Sequence, residues 1–152
     1  MAGVTNDTSH GVVDINVLAA DHEWLVGVLR DPVNKAPQFR MPDLLGACVG
    51  LVLALDYPED SVFGKLRADV VLRSNGFPRR QSQLWATDFA RLQDVQRSAH
   101  NKFPNPNFSL DEILSACVAI ARELSSSNSD LFDRARINTA NRQRNWPRGA
   151  TR

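Results

Sequence analysis

The sequence predicts a mainly α-helical domain with a short two-stranded antiparallel ribbon, built from two copies of one unit. Three observations carry this expectation. The first is an internal repeat. Pro37-Gln-Phe-Arg-Met-Pro-Asp-Leu-Leu-Gly-Ala-Cys48-Val returns as Pro106-Asn-Phe-Ser-Leu-Asp-Glu-Ile-Leu-Ser-Ala-Cys117-Val, 69 residues later. The register holds without a gap from Pro37/Pro106 to Arg79/Arg148, and 12 of its 43 positions are identical. Ordinary amino-acid usage would give about three. The second is the uncharged apolar run Leu44–Leu55, too short to cross a bilayer and suited to a buried helix. The third is an extended stretch that opens each copy, around Phe39 and around Phe108.

Length and composition set the frame. A chain of 152 residues with 43% apolar and 23% charged residues suits one globular domain with its own core. No basic-then-apolar leader is visible, so a cytoplasmic protein without a membrane segment is expected. Cys48 and Cys117 sit in apolar runs, where Cys acts as a small hydrophobe in a reducing compartment. A bridge between them is geometrically possible if the copies pack about a two-fold axis. The net charge of +1 is unevenly spread. Residues 1–34 hold five acids and one base, whereas residues 134–152 hold six Arg and no acid. Such a tail suits either nucleic acid or plain solvent.

Taken in order, residues 1–11 are small and polar and are expected to be a disordered tail. The single domain is expected over 12–148, as repeats 37–79 and 106–148 joined by a linking helix at 82–100. Asn16–Arg30 reads as an amphipathic helix, ended by Asp31-Pro32. Residues 33–41 read as a strand with Phe39 and Met41 inward and Gln38 and Arg40 outward. Pro42 fits the first turn of the next helix, which runs to about Leu55. Gly46 and Gly50 permit a close helix contact there. A loop at 56–60 precedes a helix over 61–74, with Asp60 or Ser61 as cap and Asn75-Gly76 as stop. Ser82 caps the linking helix, whose stripe is Leu84/Trp85, Phe89, Leu92, Val95 and Ala99.

The second copy restates the first. Phe108 and Leu110 face inward, and Asn107 and Ser109 outward. Ser109-Leu-Asp-Glu112 reads as a capping box. Helix 111–124 carries Arg122 and Glu123, which makes one side wet where its twin is dry. This contrast predicts that the N-terminal helix covers the first copy. The last helix runs from Asp130 to about Arg144. Phe39, Phe63, Phe108 and Phe132 are core positions. Arg67 and Arg136, identical across copies, suit an acidic partner within the chain or a phosphate.

Arg40-Met-Pro-Asp-Leu-Leu entering a helix resembles the opening of ribbon-helix-helix DNA-binding units. The duplication resembles the tandem, single-chain members of that family that serve as accessory proteins of plasmid-transfer relaxosomes. The resemblance implies a monomer acting as a pseudo-dimer, with an added N-terminal and linking helix. It implies a DNA-binding accessory or regulatory protein of a conjugative or mobile element, with duplex DNA and other transfer or regulatory proteins as partners. The ribbon readers would be Gln38, Arg40, Asn107 and Ser109. Phosphate would be held at Ser61 and Ser129, with Arg73, Arg79, Arg80, Arg142, Arg144 and Arg148 along the backbone. The alternative is a protein–protein interaction module with the same duplicated fold and no DNA contact.

No enzyme is expected. His10, His22 and His100 lie apart, and there is no Ser/His/Asp set, phosphate loop or metal spacing, so neither cofactor nor metal is expected.

Overall fold

The computed structural model describes residues 11–32, 34, 39–73, 77–98, 108–124 and 129–145. Strand β1 (Val12–Leu18) leads into α1 (Ala19–Leu29), then α2 (Met41–Leu53) and α3 (Pro58–Ala68). A 3-10 turn at Val70–Arg73 precedes β2 (Arg79–Trp85). Helices α4 (Ala86–Gln96), α5 (Leu110–Leu124) and α6 (Ser129–Asn145) follow. The fold is mainly helical with a two-stranded antiparallel sheet, as the sequence predicts, but the strands lie elsewhere.

The sheet pairs β1 with β2. In β1, Ile15 and Val17 are buried while Val12, Asp14 and Asn16 are exposed. That is the two-residue period of a half-covered strand, filled by β-branched side chains. It overrides the helical stripe expected from Asn16, so the helix starts only at Ala19. Strand β2 has no β-branched residue, and its pattern buries only Ser82 and Leu84. Pairing with β1 makes it a strand. Ser82 is therefore a strand residue and caps nothing, and the linking helix begins at Ala86.

The stretches before α2 and α5 form no strand among the described residues. Arg40 has extended backbone at φ −111°, ψ 176°, and Met41 and Leu110 already open the helices. The cause is capping. The Arg40 N–H donates to Asp43 Oδ2 at 2.9 Å, and the Ser109 N–H to Glu112 Oε1 at 2.7 Å. An N–H held by a helix cap needs no strand partner. The Glu112 N–H donates back to Ser109 Oγ at 3.2 Å, completing the expected capping box.

The duplication reaches further back than the 69-residue register shows. With a shift of 67, β1-α1 aligns with β2-α4, and Ala19, Asp21, Leu25, Val28 and Arg30 match Ala86, Asp88, Leu92, Val95 and Arg97. Both strands turn into their helices in the same way. Leu18 adopts φ −58°, ψ 142°, and Trp85 adopts φ −63°, ψ 144°. The Ala19 N–H donates to Pro78 O and the Ala86 N–H to Gly11 O, each at 2.9 Å. Each half is thus a strand followed by three helices.

The halves interlock. Helix α2 lies along α6, α5 lies along α3, and α2 crosses α5 at the centre. Phe39 meets Phe132 with ring centroids 5.8 Å apart, and its counterpart Phe108 meets Phe63 at 6.0 Å. Arg67 lies over Phe63 at 6.0 Å and Arg136 over Phe132 at 5.9 Å. Arg136 also pairs with Asp133 at 3.6 Å. Cys48 and Cys117 are free and buried in the central helices. Burial raises both thiols, Cys117 to about 12, and Cys117 nearby pushes Cys48 up further. Both pack within the hydrophobic core.

Helix α1 does not cover the first copy alone. Its Asp21 Oδ1 accepts from Arg122 Nη1 of α5 at 3.0 Å, and Arg122 also stacks over Trp24 at 5.1 Å. The wet side of α5 is thus where α1 docks. Gly46 lets α4 approach α2 closely, since a Cβ there would sit 2.5 Å from Asp88 Oδ2. Among the described residues no single helix is long and apolar enough to cross a membrane.

Candidate functional site

The ribbon carries the most distinctive surface. Its register sets Val12 against Trp85, Ile15 against Ser82, and Leu18 against Arg79. Residues 15 and 82 are equivalent under the 67-residue shift, so the two copies of one position face each other at the ribbon centre. Every other pair is mirrored about that point. Asp14 lies opposite Gln83, and Asn16 opposite Gln81. These four outward residues are exposed, and they are two equivalent pairs: Asp14 with Gln81, and Asn16 with Gln83. The face therefore offers three side-chain amides and one carboxylate.

The starts of α2 and α5 flank this face, and they differ. At the α5 side, the Asn16 N–H and Nδ2 donate to Asp111 Oδ1 and Oδ2 at 3.1 and 3.4 Å. At the α2 side, the position equivalent to Asp111 is Pro42, which offers no acceptor side chain. There an open hollow of about 410 Å³ is lined by Asp14, His22, Met41, Gln81, Ser82 and Gln83. The hydroxyl of Ser82 is buried and has no hydrogen-bond partner. Its counterpart Ile15 fills the same position with an apolar side chain, 3% exposed.

Asp43, in the first turn of α2, is fully buried. It takes the Trp85 indole Nε1–H at 3.1 Å as well as the Arg40 N–H, and so ties β2 to α2. Arg40 beside it is exposed. Two further acids lie at equivalent positions in the first turns of α1 and α4. Burial pushes the Asp21 carboxyl above its ordinary range, opposed by Arg122, and Asp21 Oδ2 has no partner. Burial pushes Asp88 up likewise, opposed by Arg91.

Of the residues expected to read DNA, Arg40 and Ser109 lie outside the β1–β2 ribbon. Gln38 and Asn107 lie outside the described residues, as does Arg148. Arg40 and Ser109 are exposed, but as the caps of α2 and α5. Ser61 lies inside α3, which starts at Pro58, and its N–H donates to Tyr57 O at 3.1 Å. It offers no N–H to phosphate. Ser129 opens α6, Arg142 and Arg144 lie in its last turns, and Arg73 ends the 3-10 turn. Arg79 is engaged internally, donating to Ser115 Oγ at 3.0 Å and to Leu72 O at 2.7 Å. Arg80 is exposed at the ribbon end. The residues that sequence reasoning missed are Asp14, Asn16, Gln81 and Gln83. The period-two pattern of Val13, Ile15 and Val17 was the signal for the first pair.

Among the described residues no cluster of His, Cys, Asp and Glu could hold a metal ion. Comparison of the chain with family models, curated proteins and solved structures finds no match.

Proposed function

We propose that this chain is a DNA-binding accessory or regulatory protein that reads duplex DNA through the β1–β2 ribbon, in the manner of a single-chain ribbon-helix-helix pseudo-dimer. The observation that carries the reading is the mirrored ribbon with its uncovered polar face. Each strand runs straight into a helix, and equivalent positions meet at the ribbon centre. A two-stranded element of this kind fits the major groove, which is about 12 Å wide. Gln83 carries the amide group that pairs with adenine N6 and N7, and Gln81 lines the same hollow. Arg40 and Arg80 are exposed cations within reach of a backbone that follows the ribbon. The setting in a conjugative or mobile element rests on the family resemblance.

The test is an anisotropy titration of the full chain with duplex DNA at two salt concentrations. Binding should weaken steeply with salt, because phosphate contacts release counterions. Gln81→Ala with Gln83→Ala should weaken sequence-specific binding more than non-specific binding. No duplex binding at low salt would overturn the reading.

A second reading has its own support. Asp14 on the ribbon face and Asp111 and Glu112 at the start of α5 are acids that repel phosphate. They suit a protein partner with a basic surface. A chain that binds no duplex at low salt, yet loses capture of a basic protein on Asp14→Asn, would establish this alternative.

A further inference from the structure

Resting on the DNA reading, we infer that recognition is one-sided: the ribbon end beside α2 reads bases, and the end beside α5 does not. Three differences between equivalent places support this. Asn16 is held at two atoms by Asp111, at 3.1 and 3.4 Å, while its equivalent Gln83 lines the open hollow. Pro42 stands where Asp111 would be, so nothing equivalent holds Gln83. The flanking charges differ as well. The start of α5 sets Asp111 and Glu112 beside the ribbon, and both are partly exposed. The start of α2 offers exposed Arg40, and its one acid, Asp43, is buried and engaged by Arg40 and Trp85.

A duplex lying along the ribbon therefore meets unheld Gln83 and Asp14 beside Arg40 at one end, and at the other an Asn16 held by Asp111. The readers at the open end are Gln83 and its cross-strand neighbour Asp14, while Gln81 lies across the ribbon centre, opposite Asn16. Gln pairs with the N6 and N7 edge of adenine, and a carboxylate accepts from the N4 amine of cytosine. The preferred site is thus a duplex with adenine and cytosine specified on one side of the ribbon centre only. It is not a palindrome.

The experiment selects bound duplexes from a random pool with the full chain. It then titrates the selected duplex against Gln83→Ala, Asn16→Ala and Asp111→Asn. Circular dichroism confirms that each variant is folded. The expected result is a non-palindromic site with an adenine preference that Gln83→Ala relaxes, with about tenfold weaker binding. Asn16→Ala should change affinity less than about twofold. Asp111→Asn should strengthen binding several-fold at low salt by removing a carboxylate from beside phosphate. A palindromic site with equal losses for Gln83→Ala and Asn16→Ala would overturn the one-sided inference and leave DNA binding standing. Absence of any duplex binding by the parent chain would overturn both.

Discussion

The first half of the chain, from β1 to α3, and the second, from β2 to α6, share one plan and differ in what they do with it. Both keep the residues that make the interlocked core: Phe39 and Phe108, Cys48 and Cys117, Phe63 and Phe132. They diverge around the ribbon and at the helix starts that flank it. Ile15 faces Ser82, Pro42 answers Asp111, and buried Asp43 answers partly exposed Glu112. The lesson is that the fold depends on the shared positions and any specific surface on the divergent ones.

The sharpest way to break the comparison is to exchange the central ribbon pair. Ile15→Ser should destabilise by about 3–5 kcal/mol, because it removes a buried aliphatic chain and adds a second unpaired hydroxyl. Ser82→Ala should act in the opposite direction and stabilise by about 1 kcal/mol, since its hydroxyl has no partner to lose. Urea titration reads both. A stabilising Ile15→Ser would show that the pair does not pack as described.

The two caps come next. Asp43→Ala strips both the Arg40 N–H and the Trp85 indole of their acceptor, in a fully buried site. It should cost about 2–3 kcal/mol. Glu112→Ala removes a partly exposed cap and should cost about 1 kcal/mol. Equal losses would deny Asp43 its role in joining β2 to α2.

Glycines give a smaller effect. Gly27 and Gly64 lie in helices with open space where a Cβ would sit, and their counterparts are Asp94 and Asp133. Gly27→Ala and Gly64→Ala should each stabilise by about 0.5–1 kcal/mol. Gly46→Ala should lose that gain, because its Cβ meets Asp88. Thermal melts of the three variants test this.

The smallest effect is in pH. Asp21 and Asp88 have folded-state pKa values raised by burial above the ordinary 3.8. Their ionised forms therefore disfavour folding, and that penalty is relieved as pH falls through the raised folded values towards 3.8. Asp21→Asn and Asp88→Asn should be more stable than the parent at neutral pH, with an advantage that fades towards acid. Urea midpoints across pH read the difference, and an advantage that grows in acid would reverse the sign.

Much of this was legible in the sequence, and the misses have physical causes. Helices α2, α3, α5 and α6 follow from apolar stripes and the Ser109/Glu112 box, since these signals are local. The duplicated core was legible because the 69-residue register has no gap. The ribbon was not. Val17 and Leu18 fit a helical stripe as well as a strand, and Arg79–Trp85 becomes a strand only by pairing with a segment 67 residues away. The two-residue change of register hid the match between β1-α1 and β2-α4. The candidate site moved with the ribbon, from Gln38, Arg40, Asn107 and Ser109 to Asp14, Asn16, Gln81 and Gln83.

The two halves share one ribbon and one core, so neither is expected to fold without the other. The direct measurement divides the chain between Arg73 and Phe77 and follows the helicity of each fragment and of their mixture across a range of concentrations. The expected result is unfolded monomers that gain helix only on pairing, with the mixture forming a one-to-one complex whose helicity depends on concentration. A fragment that folds as a monomer, with helicity independent of concentration, would contradict it.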